Sequence, residues 1–309
     1  MLSRRLAVLA FFASLGLALP ARAQRDQILV TTAWLAQHLH DPNLVLLHVG
    51  ADGEYKAMHI PGARFADMDD VSVSEHTAEG LMLEMPSAES LRERLQKLGI
   101  SNDSRIVVYY GSDWVSPSTR IVFTLDYAGL GGQTSLLDGG MPAWVREGRK
   151  VTDRLPAPRT GTLSPLHIKP IVVNAAYVKQ HIGTRGVSIV DGRDASFYDG
   201  VQRGSAHGGE QRAGHIASAK SVPFTQVTLD NLLLKSPNEL RELFTKAGVQ
   251  VGDTIVGYCH VGQQATAMLF AARSLGHPVL LYDGSYQEWS RLTPVESYPV
   301  ENPSPRSKQ

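Results

Sequence analysis

Short apolar runs alternate with longer amphipathic ones along most of the chain, and they do so twice. Leu44 to Val49, Ile106 to Tyr110 and Leu136-Leu137 read as strands in the first half; Val187 to Asp191, Ile255 to Tyr258 and Val279 to Tyr282 read as strands in the second. Helical periodicity falls on Thr31 to Leu39, Ser87 to Leu98 and Thr119 to Tyr127, then on Asn174 to Ile182, Ser236 to Ala247 and Gln264 to Leu275. Ser87 and Ser236 stand where N-caps belong, and Gly99 and Gly248 where the helices should stop. Strand and helix in alternation predict an α/β fold with mostly parallel sheets covered by helices on both faces. In such sheets, sites form beyond the carboxyl ends of the strands.

The two halves are copies of one unit. His59-Ile60-Pro61-Gly62-Ala63 is echoed by His215-Ile216-Ala217-Ser218-Ala219, and Leu137-Asp138-Gly139 through Trp144 by Tyr282-Asp283-Gly284 through Trp289. The offsets are 215 − 59 = 156 and 283 − 138 = 145, and further ordered matches lie between these. The expected organisation is a leader over 1–23, a first domain over 27–145 and a linker over 146–172. A second domain over 173–298 and a tail over 299–309, expected to be mobile, complete it. The linker is marked by Pro156, Pro158, Pro165 and Pro170, and its length suggests that it runs along the surface of the pair.

Arg4 and Arg5 before the apolar stretch Leu6 to Leu19, then Ala21-Arg22-Ala23 before Gln24, form a secretory-leader pattern too short for a membrane span. A periplasmic or secreted protein is therefore expected. The 30 basic and 30 acidic residues, less Arg4, Arg5 and Arg22, leave a mature net charge of 27 − 30 = −3. Nothing in that balance suggests nucleic acid or an anionic membrane as partner.

Cys259 is the one cysteine, so an exported chain cannot pair it internally and must bury it or use it. A lone cysteine is more often a small buried hydrophobe than a nucleophile. Its position argues for use: it follows the strand pattern Thr254 to Tyr258 and opens the loop His260-Val261-Gly262-Gln263-Gln264, after which a helix begins. Backbone N–H groups of such a loop and the positive helix end would favour thiolate over thiol. Gly262 can take the backbone angles that turn amides inward.

On these residues the chain resembles the tandem-domain rhodanese family of sulfurtransferases. The resemblance rests on His59 to Ala63, Val279 to Trp289 and the Cys259 loop, and it spans nearly the whole mature sequence. It implies two α/β domains, the first inactive because Tyr110 stands in the nucleophile's place, the second catalytic through Cys259. It also implies transfer of a sulfane sulfur from thiosulfate to a thiophilic acceptor, cyanide or a thiol, through a persulfide on Cys259. A small-molecule donor and acceptor, no metal or organic cofactor, and a monomer are expected. The loop itself departs from the family. Thiosulfate-specific members resemble Cys-Arg-Lys-Gly-Val-Thr and mercaptopyruvate-specific ones Cys-Gly-x-Gly-Val-Thr, whereas this loop reads Cys-His-Val-Gly-Gln-Gln. The family's substrate-binding arginine falls on Phe197. 3-Mercaptopyruvate as donor, and a persulfide carrier without fast turnover, stay open as alternatives.

The substrate-binding candidates are accordingly His260, Val261, Gly262, Gln263 and Gln264, with Arg203 and Arg212 as replacement cations from the stretch Asp199 to Gly214. His260 is either a partly charged anion ligand or a rim residue. Asp191 and Arg193 are expected to form an internal ion pair under the loop. His207, Glu210 and His215 match no zinc spacing, and Asp67, Asp69 and Asp70 suit a turn or helix start better than a calcium loop. Trp114 lies in the first-copy loop, where packing between the domains is expected rather than a hydrophobic wall of the cleft. A related phosphatase would need Cys-x5-Arg, and Ala265 occupies the arginine's position.

Overall fold

The structure, a computed structural model, describes residues 21–111, 115–206 and 209–304, and the side chains of all these except 21–24 and 206. Residues 1–20, Trp114 and His207 lie outside the described residues. The first unit holds α1 (Ala21–Ile28), β1 (Leu29–Val30), α2 (Thr32–His38), β2 (Leu44–Val49), α3 (Asp52–Ala57) and β3 (Arg64–Phe65), then α4 (Ala88–Lys97), β4 (Arg105–Tyr110), α5 (Ser116–Tyr127), β5 (Thr134–Leu137) and α6 (Gly140–Arg146). The second holds β6 (Val172–Val173), α7 (Ala175–Gln180), β7 (Val187–Asp191), α8 (Ala195–Tyr198) and the strands β8 (Ser205–Ala206), β9 (Gly209–Glu210), β10 (His215–Ile216) and β11 (Lys220–Ser221). It continues with α9 (Pro237–Lys246), β12 (Thr254–Tyr258), α10 (Gln264–Ser274), β13 (Val279–Tyr282), α11 (Ser285–Trp289) and β14 (Val300–Glu301).

Each unit is built on a five-stranded parallel sheet, in the orders β1-β5-β4-β2-β3 and β11-β7-β12-β13-β6. The registers match: Tyr109 lies opposite His48 in the first sheet, and Tyr258 opposite Asp191 in the second. Ser87 and Ser236 accept from the N–H groups three residues on, and Gly99 and Gly248 adopt φ of +85° and +87° beyond the last turns, as the sequence pattern predicts. The linker runs along the first unit, where Thr152 bridges His59 and Gly161 N donates to Gln96 O at 2.8 Å. No helix among the described residues is long and apolar enough to cross a membrane.

Strand residues alternate between two burial environments, as the two-residue period requires. Leu46, Val107 and Tyr109 pack on the outer face of the first sheet, and Ile189, Val256 and Tyr258 on the outer face of the second. Val108, Tyr110, Ile255 and Cys259 point the other way, into one cluster that runs through both units by way of α5 and α10. The residue after the central strand's tyrosine, Tyr110 in one copy and Cys259 in the other, therefore faces the seam between the copies.

A pseudo-twofold relation organises that seam. Thr119 on α5 and Thr266 on α10 hydrogen-bond to each other at 2.9 Å. Each copy also sends a strap across: Asp283 accepts from Met85 N at 2.7 Å, and Asp138 accepts from Leu234 N at 2.8 Å. Leu83 and Leu232, at matching places in the straps, both take positive φ, 60° and 65°. The Tyr110 hydroxyl donates to Leu232 O at 2.6 Å, so in the copy without a thiol this position holds the neighbouring strap.

Candidate active site

Cys259 directly follows the central strand of the second sheet, and α10 begins five residues later. The strand end is tied to the turn before α11. Cys259 N donates to Ser285 Oγ at 3.4 Å, while Tyr286 N and Gln287 N donate to the carbonyls of Cys259 and His260, both at 3.0 Å. Gly262 takes φ of +77°, a left-handed angle that a β-carbon disfavours. The chain thereby curls so that the N–H groups of Val261, Gly262 and Ala265 face the sulfur and pull its pKa down.

The thiolate preference expected from this cradle is not met in the resting structure. Cys259 has no solvent exposure. Burial is the largest influence and pushes the thiol's pKa up; the Ala265, Val261 and Gly262 N–H groups pull it down without overcoming that, and the nearby Asp191 charge adds to the rise. The loop residues that follow it, His260, Val261, Gln263 and Gln264, are half-buried. Cys259 belongs to the apolar cluster of the seam, and the loop amides face its sulfur.

Of the two readings of His260, the uncharged one fits the structure. Burial first, then the Arg193 charge, lower its pKa to about 4, so it carries no charge near neutrality. Its ring stands edge-on to Phe197, with centroids 4.6 Å apart. Gln263 Nε2 reaches Ser116 Oγ of the first copy at 3.4 Å. Arg212 does not supply the missing cation: its guanidinium is half-buried and donates to Trp289 O at 2.7 Å and Tyr298 O at 2.9 Å. Arg203 stands beside the loop, since its neighbour Gly204 abuts the His260 ring, but its charge is paired with exposed Glu210 at 3.0 Å.

Asp191 and Arg193 form the expected internal pair. Both are buried, Arg193 Nη2 lies 2.6 Å from Asp191 Oδ2, and the guanidinium packs 4.0 Å over the Tyr286 ring. Burial alone would lower the Arg193 pKa, but the Asp191 charge and hydrogen bonds outweigh it and raise it. His215 is a packing residue, stacked on Tyr198 at 3.6 Å with Nδ1 at 2.8 Å from Tyr198 O. Asp67 caps the 3-10 turn Met68–Asp70 reciprocally with Asp70.

Sequence reasoning missed the groups that reach the loop from the first copy. Arg120, on α5, is wholly buried; Nη1 donates to Gly262 O at 2.9 Å and pairs with Asp283 Oδ1 at 2.9 Å, and Nη2 donates to Leu83 O. Glu84, on the strap, is largely buried; desolvation, then the Asp283 charge, raise its carboxyl to about 8, against the opposing pull of Arg120 and with a further push from Glu288. One signal was available. Arg120 directly precedes the apolar run Ile121-Val122-Phe123, and an arginine in a helix that is to be buried needs a polar partner elsewhere in the fold.

The described site thus offers a buried sulfhydryl with three amides turned on it, and cations already bound to other groups: Arg193, Arg120, Arg203 and Arg212. Such a site can stabilise a sulfur anion through fixed backbone dipoles. Comparison with known proteins bears on which chemistry this is. A model of the rhodanese-like domain matches residues 31–147 and again 174–292. The thiosulfate sulfurtransferase of Rattus norvegicus is 30% identical over 286 residues, 87% of this chain and 94% of the relative. The sulfur carrier protein TtuD of Thermus thermophilus is 31% identical over 281 residues, 87% of this chain and 95% of the relative. Among solved structures, SseA from Escherichia coli, described with the 3-mercaptopyruvate sulfotransferases, superposes with a TM-score of 0.71 at 27% identity, covering 84% of this chain and 98% of that one.

Proposed function

The chain belongs to the rhodanese-like family and carries its domain twice; from that membership we propose that it is a thiosulfate sulfurtransferase working through a persulfide on Cys259. The observation that carries this reading is the sulfur's setting: the chain's sole cysteine, at the carboxyl end of a central parallel strand, with three N–H groups directed at it. In the first copy, Tyr110 fills the same place.

In the first step the Cys259 thiolate attacks the outer sulfur of thiosulfate. The S–S bond of the donor breaks, sulfite leaves with the bonding pair, and Cys259 carries a terminal sulfur anion. In the second, an acceptor such as cyanide attacks that terminal sulfur; the S–S bond between it and Cys259 Sγ breaks, thiocyanate departs and the thiolate returns. The amides of Val261, Gly262 and Ala265 face the negative charge in both states. Because the donor's charge meets no unpaired cation at the described loop, these dipoles carry the anion binding. The sealed resting sulfur also supports a slower reading in which the persulfide is carried to a partner. The likeness to TtuD and to SseA makes a sulfur carrier and 3-mercaptopyruvate the readings to compare against.

Steady-state rates over a grid of thiosulfate and cyanide concentrations test this. Parallel double-reciprocal lines, abolished in Cys259→Ser, are expected. Intersecting lines, or activity surviving in Cys259→Ser, would overturn the proposal, and turnover only with 3-mercaptopyruvate would reassign the donor. We further propose an exported monomer: the leader pattern at Arg4 to Ala23 supports export, and both halves of the seam are supplied within one chain. Purified mature protein should begin at Gln24.

A further inference from the structure

We propose that Arg120, which belongs to the copy without a cysteine, is a positioning residue for the sulfur-binding loop of the other copy. It holds the carbonyl of Gly262, and so places the residue whose own N–H faces the sulfur. The inference rests on reading Cys259 as the working thiol.

The guanidinium is one group that meets three pieces of chain at once. It holds the carbonyl of Gly262 in the loop, the carboxylate of Asp283 before α11, and the carbonyl of Leu83 in the first-copy strap. Asp283 is held in turn by Met85 N at 2.7 Å. The turn that follows Asp283 carries Ser285, Tyr286 and Gln287, whose hydroxyl and amides clasp Cys259 and His260. Arg120 therefore touches the loop directly through Gly262 and indirectly through the turn that anchors the loop's start.

A peptide unit is planar and trans, so its C=O and N–H point in opposite directions. Drawing Gly262 O toward the first copy favours one orientation of that peptide and so anchors Gly262, whose own N–H, with those of Val261 and Ala265, faces the sulfur. The fit is close. A β-carbon at Gly262 would stand 2.9 Å from Arg120 Nη1 and 3.0 Å from Asp283 O, so the glycine is required by its neighbours as well as by its φ of +77°.

The asymmetry of the seam argues for a role toward the thiol rather than for interface stability alone. Thr119 and Thr266 meet across the pseudo-twofold, so the next residue on each helix is its counterpart. On α5 it is Arg120, beside the loop of Cys259; on α10 it is Ala267, a small apolar residue. Among the described residues, the arginine at this helix position is on the side whose partner loop carries sulfur. A fork with several fixed donors suits two carbonyls and a paired carboxylate at once, which a lysine cannot reproduce.

The test uses full-length Arg120→Met and Arg120→Lys, with Thr119→Val as an interface control that leaves Gly262 untouched. The readout is the pH dependence of Cys259 alkylation by iodoacetamide, alongside kcat and KM for sulfur transfer to cyanide. Arg120→Met should move the alkylation midpoint upward by about one pH unit, the equivalent of one charge-assisted hydrogen bond. It should also lower kcat about tenfold with KM changed less than about twofold. Arg120→Lys should move both in the same direction by less, and Thr119→Val should move neither. An alkylation profile unchanged in Arg120→Met, or in Arg120→Lys if the methionine variant does not fold, overturns the proposal. Shifts of equal size in Thr119→Val overturn it too, since they would trace the effect to the seam as a whole. Alkylation needs no sulfur donor, so a wild-type protein that never forms a persulfide would sink the functional reading and leave this one standing.

Discussion

Replacing Asp191 by asparagine should cost the second copy about 3 kcal/mol, near the low end of the roughly 3–5 kcal/mol typical of removing one partner from a buried ion pair. Asp191 and Arg193 are 0% and 1% exposed, and the carboxylate accepts from Arg193 N at 2.9 Å, Nε at 3.0 and 3.1 Å, and Nη2 at 2.6 Å. Asparagine keeps one acceptor and turns an amide donor toward the guanidinium. What holds the loss to the lower figure is that Arg193 retains Gly214 O at 2.8 Å and the Tyr286 face at 4.0 Å. Urea unfolding at neutral pH, followed by tryptophan fluorescence, reads the loss as the midpoint shift multiplied by the slope. Asp191→Asn/Arg193→Met, which removes both charges and keeps the aliphatic volume, should recover more than half of it. The same single substitution leaves a positive charge uncompensated near Cys259 and removes the negative one that raises its pKa, so alkylation of the thiol should become faster at neutral pH. A loss under about 1 kcal/mol, or a double variant less stable than the single one, would refute the burial argument.

Two further outcomes follow from groups around the site. Glu84 faces Asp283, Arg120 and Glu288, and its carboxyl, pushed up to about 8 from 4.5, is neutral in the fold at pH values where it is ionised in the unfolded chain. Wild-type stability should therefore fall as pH rises from about 4.5 and level off beyond about 8. Glu84→Gln should gain on wild type through that window in thermal melts, whereas melting curves that stay parallel from pH 5 to 9 would contradict the shift, on the order of the range just given. Arg212→Met leaves the carbonyls of Trp289 and Tyr298 without these donors and should destabilise by about 2–4 kcal/mol, with the donor KM changed less than about twofold. A large rise in KM without loss of stability would return Arg212 to the substrate.

The long central strands and helices were legible because each spans enough residues to show its period. The caps at Ser87 and Ser236 and the stops at Gly99 and Gly248 follow from local backbone chemistry, which a sequence displays directly. The two-residue strands β1, β3, β6 and β11 were not legible, being too short for any alternation to register. At the site, the position of Cys259 and the inward curl at Gly262 could be read locally. The thiol's burial could not, because it depends on α5 and α10 closing one apolar cluster across the seam. Nor could the neutral state of His260, which is set by burial and by Arg193, far away in the chain. Arg120 escaped for the same reason: its acceptors Gly262 and Asp283 belong to the other copy, and no pattern in the first copy points to them.

Intact-mass measurement of the full-length protein after one exposure to thiosulfate, followed by peptide mapping, tests the central claim most directly. The account predicts the gain of one sulfur atom, located on Cys259 and removed by cyanide with release of one thiocyanate per chain. A protein whose mass is unchanged by thiosulfate, by 3-mercaptopyruvate and by an organic persulfide alike, with Cys259 recovered as the free thiol, would contradict it.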